Sequence, residues 1–375
     1  MNANNEKKFT INIILGLFIL IIFSLLIYIN YDSKYIKVQN LGIFGENRLE
    51  SVLGQDGVNS IDFGEYTIWT FADTLIGDKP IHPITTSSTF DGKFKYMLSN
   101  SIAFTKKSES KDVNKAIFHF YQKDGRVTEF IKYREGENKF IRRLWANDGI
   151  KLGNTVYVYY MQIKLTGDSD IFVVDSIGLA SWNVKNPNWN IGDPIEFERH
   201  DNLFKFNINN VTFGDCVVFY KNYVYVIGHY VKNKNCKIQI ARVNPFEIAN
   251  PNAYRFLTED GRWIDDISKA GSFFDLVSGE VSMSIDNDTF VFFYCSLDGN
   301  IYQVNTNKLE ELNTAEKKII YQPGHIESDK PLMIYYSAKE IYKDNDYFYV
   351  VYMNPQNYQP ILLKVKKRQT FNLKF

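Results

Sequence analysis

The chain opens with one apolar block and then changes pattern. Residues Ile11–Ile29 read INIILGLFILIIFSLLIYI, nineteen positions without a charge. As a helix they span about 28 Å, the thickness of a bilayer core. Tyr28 and Tyr31 close the block, where interfacial aromatic residues belong. The run is longer than the apolar part of a cleaved leader, and no small-x-small cleavage site follows it. Residues 11–30 are therefore predicted to be a transmembrane signal-anchor helix behind a short cytoplasmic segment, 1–10. Lys7 and Lys8 precede it and Lys34 and Lys37 follow, so charge gives the orientation little help. We expect the N-terminus inside, a stalk over 31–50, and the bulk of this single-pass chain outside the cell membrane.

From residue 52 onward the periodicity is that of strands. Runs such as TVYVYYMQI, NYVYVIGHYV, DTFVFFYCSL and DYFYVVYM alternate or are apolar on both faces. Asp91-Gly92, Asp124-Gly125, Asp260-Gly261 and Asp298-Gly299 punctuate them as turns. Only 308–318 (KLEELNTAEKK) offers a helical turn or two. A unit of acidic residue, short strand, polar turn and aromatic strand recurs at 55–71, 147–161, 214–230, 279–295 and 337–353. Its leading positions are Asp56, Asp148, Asp215, Glu280 and Ala338, spaced by 92, 67, 65 and 58 residues. That spacing suits a four-stranded blade with loops. A lone twisted sheet cannot bury both faces, whereas blades stacked radially do. The expected fold is all-β: a five-bladed β-propeller over 51–370, preceded by the transmembrane helix.

Composition narrows the function. Lys plus Arg number 43 and Asp plus Glu number 43, so no net charge draws nucleic acid. The aromatic share of 16% fits strands and also the lining of sugar grooves. Cys216, Cys236 and Cys295 lack metal-ligand spacing and read as buried thiols, with a Cys216–Cys236 bridge as the alternative. In the expected register four of the five leading residues are acids at one end of the inner strands. Packing alone gives no reason for carboxylates to converge, because they repel. They therefore mark a candidate site, although Asp56 and Asp148, each before Gly, could instead cap turns.

The stretch GQDGVNSIDFGEYTIWTFADTLIG at 54–77 resembles the opening blade of five-bladed propellers related to glycoside hydrolase families 43, 32 and 117, and most of all the DUF4185 and DUF5005 branch. WANDGIKLGNTVYVYY, GDCVVFYKNYVYVIGHY, GEVSMSI and SAKEIYKDNDYFYVVYMNP follow in the order of the later blades. Ala72 stands where Gly is usual, and the His-Pro often seen in the last blade is missing. The resemblance implies a glycosidase acting on a polysaccharide, arabinan among the candidates, through inner-strand carboxylates. Such chemistry needs two carboxyl groups in different protonation states. The roles expected are Asp56 as base or nucleophile, Glu280 as acid, and Asp148 holding the acid's pKa and orientation. Asp73, Trp145, Asp215 and Arg142 are candidates for substrate binding, with Arg143 beside Arg142. Trp69 reads as core, and His119, His229 and His325 as structural. No cofactor is required, although converging oxygens on the axis are compatible with a structural calcium ion. The alternatives are a non-catalytic carbohydrate-binding or exopolysaccharide-assembly propeller, and a protein-interaction propeller.

Overall fold

Each of the five repeated units forms the inner hairpin of one antiparallel sheet. The computed structural model describes residues 36–45, 51–78, 93–109, 114–167, 172–205, 211–232, 235–326 and 334–367. The anchor segment lies outside them, and among the described residues no helix is long and apolar enough to cross a membrane. Blade 1 runs Asn59–Phe63, Tyr66–Phe71, Ser101–Lys106 and His119–Phe120 from inside outward. Blade 2 is Arg142–Leu152, Thr155–Leu165, Phe172–Asn183 and Glu198–Lys205. Blade 3 is Cys216–Tyr220, Tyr223–Lys232, Asn235–Val243, Arg255–Leu257 and Trp263–Ile264. Blade 4 is Ser282–Asp286, Thr289–Cys295, Ile301–Thr306 and Lys317–Tyr321. Blade 5 is Tyr336–Lys343, Tyr347–Asn354 and Gln359–Lys366, completed by Val38–Ile43. Each inner strand touches the next and the fifth touches the first, which closes the ring.

The double-sided apolar runs follow from this closure. In blade 2, Val156, Val158 and Tyr160 pack toward blade 1, while Tyr159 and Met161 pack toward blade 3. In blade 4, Phe290, Phe292 and Tyr294 face blade 3, and Val291, Phe293 and Cys295 face blade 5. Five apolar clusters result, one between each pair of neighbouring blades. Trp69 is buried in the cluster between blades 5 and 1, its indole N–H donating to Thr105 Oγ1 at 2.9 Å. Hairpins of blades 3 and 4 turn on Lys221-Asn222 and Asn287-Asp288, each with φ positive at both residues, as two-residue type I′ loops require. The helical turn expected within 308–318 is a 3-10 helix, Leu309–Thr314. All three cysteines are free and buried, so no Cys216–Cys236 bridge forms.

Val38–Ile43 departs from the expected stalk. It pairs antiparallel with Gln359–Lys366, Val38 opposite Val365, as the outermost strand of blade 5. A register shift between Asn40 and Gly42 interrupts its alternation. Ile36, Val38, Leu41 and Ile43 are half-buried against the core, and Phe44 is fully buried against Trp69 and Phe118. A chain beginning at residue 46 should thus be less stable than one beginning at residue 36. Burial of one full and four partial apolar side chains sets the loss at about 5 kcal/mol. Equal denaturation midpoints for the two would show that this strand does not close the propeller.

Blade 1 carries an insertion between its second and third strands. There Thr74–Asp78 pairs with Val52–Gln55 on one side and Lys93–Leu98 on the other. This small sheet leaves the propeller at Ala72 and Asp73, next to Asp56.

Candidate functional site

A cavity of about 580 Å³ opens where the first residues of the inner strands meet. Its wall includes Asp56, Ala72, Trp145, His229, Glu280 and Tyr336. Asp56 precedes the inner strand of blade 1, and its backbone pairs with the end of the second strand: Asp56 N–H donates to Asp73 O, and Ala72 N–H to Asp56 O, both at 2.8 Å. Gly57, at φ +61°, lets the chain turn there, and its N–H donates to Asp56 Oδ1 at 2.8 Å. Tyr336 and Tyr358, both from blade 5, donate hydroxyls to Asp56 Oδ1 at 3.0 Å and Oδ2 at 3.2 Å.

Glu280 stands opposite. Its Oε1 lies 3.7 Å from where a Cβ on Gly57 would be, which places the carboxylate in van der Waals reach of the Asp56 turn. Glu280 N–H donates to Ser337 Oγ at 3.1 Å. Gly279, at φ +72°, leaves room for that hydroxyl, which a Cβ would meet at 2.4 Å.

The electrostatics raise two carboxyls of the site, Asp56 and Asp73. Burial pushes the Asp56 carboxyl up to about 7, and the Glu280 charge pushes in the same direction. The hydrogen bonds from Tyr336, Gly57 and Tyr358 pull the other way without prevailing. Asp73 is also driven to about 7 by burial, helped by Asp56 and opposed by Arg143 and the Trp145 indole. Asp73 Oδ1 and Trp145 Nε1 are both buried without a completed hydrogen bond. Trp145 meets Phe172 edge-on at 4.8 Å, and Phe172 remains 47% exposed at the cavity lip.

The structure brings together Asp56, Glu280 and Trp145 in one wall, with Asp73 behind Ala72 and Asp215 behind His229. It does not bring Asp148 there. A bulge between Ala146 and Gly149 turns Asp148 toward blade 3, where Oδ2 accepts the Val217 N–H at 2.7 Å and Oδ1 the Gly149 N–H at 2.8 Å. Burial still lifts its carboxyl to about 6, against the Lys339 charge. Asp148 thus joins blades 2 and 3 and is absent from the cavity wall. Arg142 is also absent from that wall. It donates to Gln162 Oε1 at 3.0 Å and pairs with Asp175 at 3.5 Å, within blade 2. Strand alternation puts Arg143, not Arg142, on the face of Trp145 and toward Asp73.

His229, expected to be structural, lines the cavity. The sequence pattern does not single out Tyr336 or Tyr358 at all. For His229 a signal exists: it is a polar residue inside the apolar run VYVIGHY, and buried polar groups in such runs need a partner. Among the described residues no three His, Cys, Asp or Glu side chains form a metal-ligand group. The cation facing the inner-strand acids is the buried Lys339 ammonium, which donates to Asn59 Oδ1 and, at 3.4 Å, to Asp215 O. A wider groove of 720 Å³ beside blade 2, lined by Trp182, Trp189 and Glu198, holds none of the inner-strand acids.

A closed ring of five antiparallel blades is an all-β five-bladed propeller. The chain belongs to the family described as Domain of unknown function (DUF4185), whose model matches residues 58–372. Solved structures share the fold at low identity. A presumptive hydrolase from Bacteroides ovatus superposes with a TM-score of 0.64 at 13% identity, covering 84% of this chain and 86% of its own. A family 117 glycoside hydrolase from the marine bacterium Zobellia galactanivorans does so at 0.51 and 9% identity, covering 89% and 91%. Another glycoside hydrolase gives 0.50 at 12% identity, covering 91% and 95%. No curated protein matches the chain.

Proposed function

We propose that this propeller is a glycoside hydrolase acting on a polysaccharide, held outside the cell by its N-terminal anchor. The observation that carries the reading is the Asp56–Glu280 pair in one cavity, with burial and the Glu280 charge raising the Asp56 carboxyl to about 7. A carboxyl that keeps its proton up to about 7, beside a second carboxyl group in the same cavity, meets the requirement of acid and base at one glycosidic bond. Burial and the Glu280 charge favour the proton on Asp56. Trp145 and Phe172 offer ring faces to a sugar at the lip, and Asp73 supports Asp56 from behind. The fold shared with glycoside hydrolases supports the reaction class, and the uncharged run Ile11–Ile29 supports the anchor. Arabinan is the first substrate to try.

The test is reducing-end release from arabinans and other plant and bacterial polysaccharides across pH. Release should fall as pH rises above about 7, where Asp56 loses its proton. A well-folded protein that releases nothing from any of them would leave a carbohydrate-binding role in place of this one.

A further inference from the structure

The strongest feature outside the carboxyl pair is His229. Its Nδ1 lies 2.6 Å from Asp215 Oδ2, and its backbone N–H donates to the same oxygen at 2.9 Å. Thr212 Oγ1 sits 2.8 Å from Nδ1 and 3.3 Å from Asp215 Oδ1. The Asp215 side chain is fully buried, while the His229 side chain keeps 17% exposure on the cavity side. A carboxylate accepts, so the hydrogen on Nδ1 is held by Asp215, and the ring is locked in place. Nε2 bonds to nothing among the described residues and is not a buried unpartnered atom. It is the polar end of a fixed ring in the wall that also carries Glu280. With Nδ1–H committed to Asp215, Nε2 is a donor only in the imidazolium form.

We propose that the Asp215–His229 dyad positions substrate: the imidazolium Nε2–H donates to a hydroxyl or ring oxygen of a neutral sugar unit held against Glu280. This rests on the glycan reading of the cavity. A neutral unit fits better than an acidic one because Glu280 on the same wall repels an anion. The charged groups facing His229 are Asp215, Glu280 and Lys339. Burial and Lys339 oppose its charge, and the two carboxylates outweigh them, so its pKa is raised above 6.5. The donor is therefore favoured at pH 6.5 and lost as pH rises through that raised value.

Detergent-solubilised full-length Asp56→Asn protein, labelled with ¹⁵N at histidine and tryptophan, allows binding to be followed without turnover. There are only five histidines to assign. Oligosaccharides cut from arabinan, then from the other polysaccharides, are titrated in. The His229 Nε2 signal should move with the Trp145 indole signal, while Nδ1 stays. His229→Gln in the same background should weaken binding about tenfold or more at pH 6.5, the worth of a charge-assisted hydrogen bond. It should also flatten the loss of affinity at alkaline pH. If the Trp145 signal moves and His229 Nε2 does not, the dyad plays no part in binding and the glycan site stands. If no oligosaccharide moves either signal, the glycan reading fails and takes the dyad's role with it. Should His229→Gln not fold, the resonance shifts decide alone.

Discussion

Replacing Asp56 by Asn should abolish glycan hydrolysis and, at the same time, stabilise the fold at alkaline pH. The first effect follows from removing one member of the acid–base pair. General acid–base catalysis contributes about 10²–10⁴-fold, so a loss of at least about a thousandfold in kcat is expected, with the fold intact. The second follows from the raised carboxyl. Between pH 3.8, the ordinary value, and about 7 the folded protein keeps a proton on Asp56 that the unfolded chain gives up. Wild-type stability therefore falls as pH rises through this window and levels off above it. Asn carries no such penalty and can still accept from Gly57 N–H and meet the Tyr336 and Tyr358 hydroxyls. A shift of three units corresponds to about 4 kcal/mol. Partial solvent access and imperfect hydrogen bonds reduce the gain to about 2 kcal/mol at pH 8.5, with almost none at pH 4. Denaturant titrations at the two pH values check it. A variant that is inactive and equally destabilised at both would mean that Asp56 is a structural cap.

Lys339→Met should be the most damaging single change on the axis. Lys339 is 3% exposed, and its ammonium joins Asn59 of blade 1 to Asp215 of blade 3. Its charge also holds down the carboxyls of Asp148 and Asp215, which burial raises. Met fills the volume but leaves the buried Asp148 carboxyl without its cation and Asp215 with His229 alone. Breaking a buried charge network from one side costs about 3–5 kcal/mol. The sign of the pH dependence is fixed. Without Lys339 the Asp148 carboxyl rises further above about 6, so the variant suffers most above that pH and recovers part of the loss at pH 5. A denaturation midpoint equal to wild type at pH 8 would show that the axis does not depend on this cation.

The repeat makes the propeller legible in the amino-acid pattern itself. All five units map onto inner hairpins, because a strand buried on both faces must be apolar at every position and its polar turn must return on the axis. The closing strand is not legible, because Val38–Ile43 pairs with a segment more than 300 residues away and is interrupted by a bulge. The fifth leading position, Ala338, breaks the acid register for a physical reason: Ala338 is packed in the core between blades 4 and 5, and the next residue, Lys339, reaches the axis. At the site, Asp56 and Glu280 are readable from their register. Asp148 is not, because only the register shift of its strand reveals which way the side chain turns. Arg142 and Arg143 are adjacent, and sequence alone gives no parity to choose between them. The role of His229 depends on Asp215, fourteen residues earlier, returning to the same ring.

The most direct measurement is reducing-end release by wild-type and Glu280→Gln protein, side by side at pH 6 on the same polysaccharides, with folding checked in both. Release by wild type and its loss in Glu280→Gln is the expected result, and it would put the chemistry in the cavity shared with Asp56. Equal release by the two proteins would contradict it and place the active site elsewhere on the propeller.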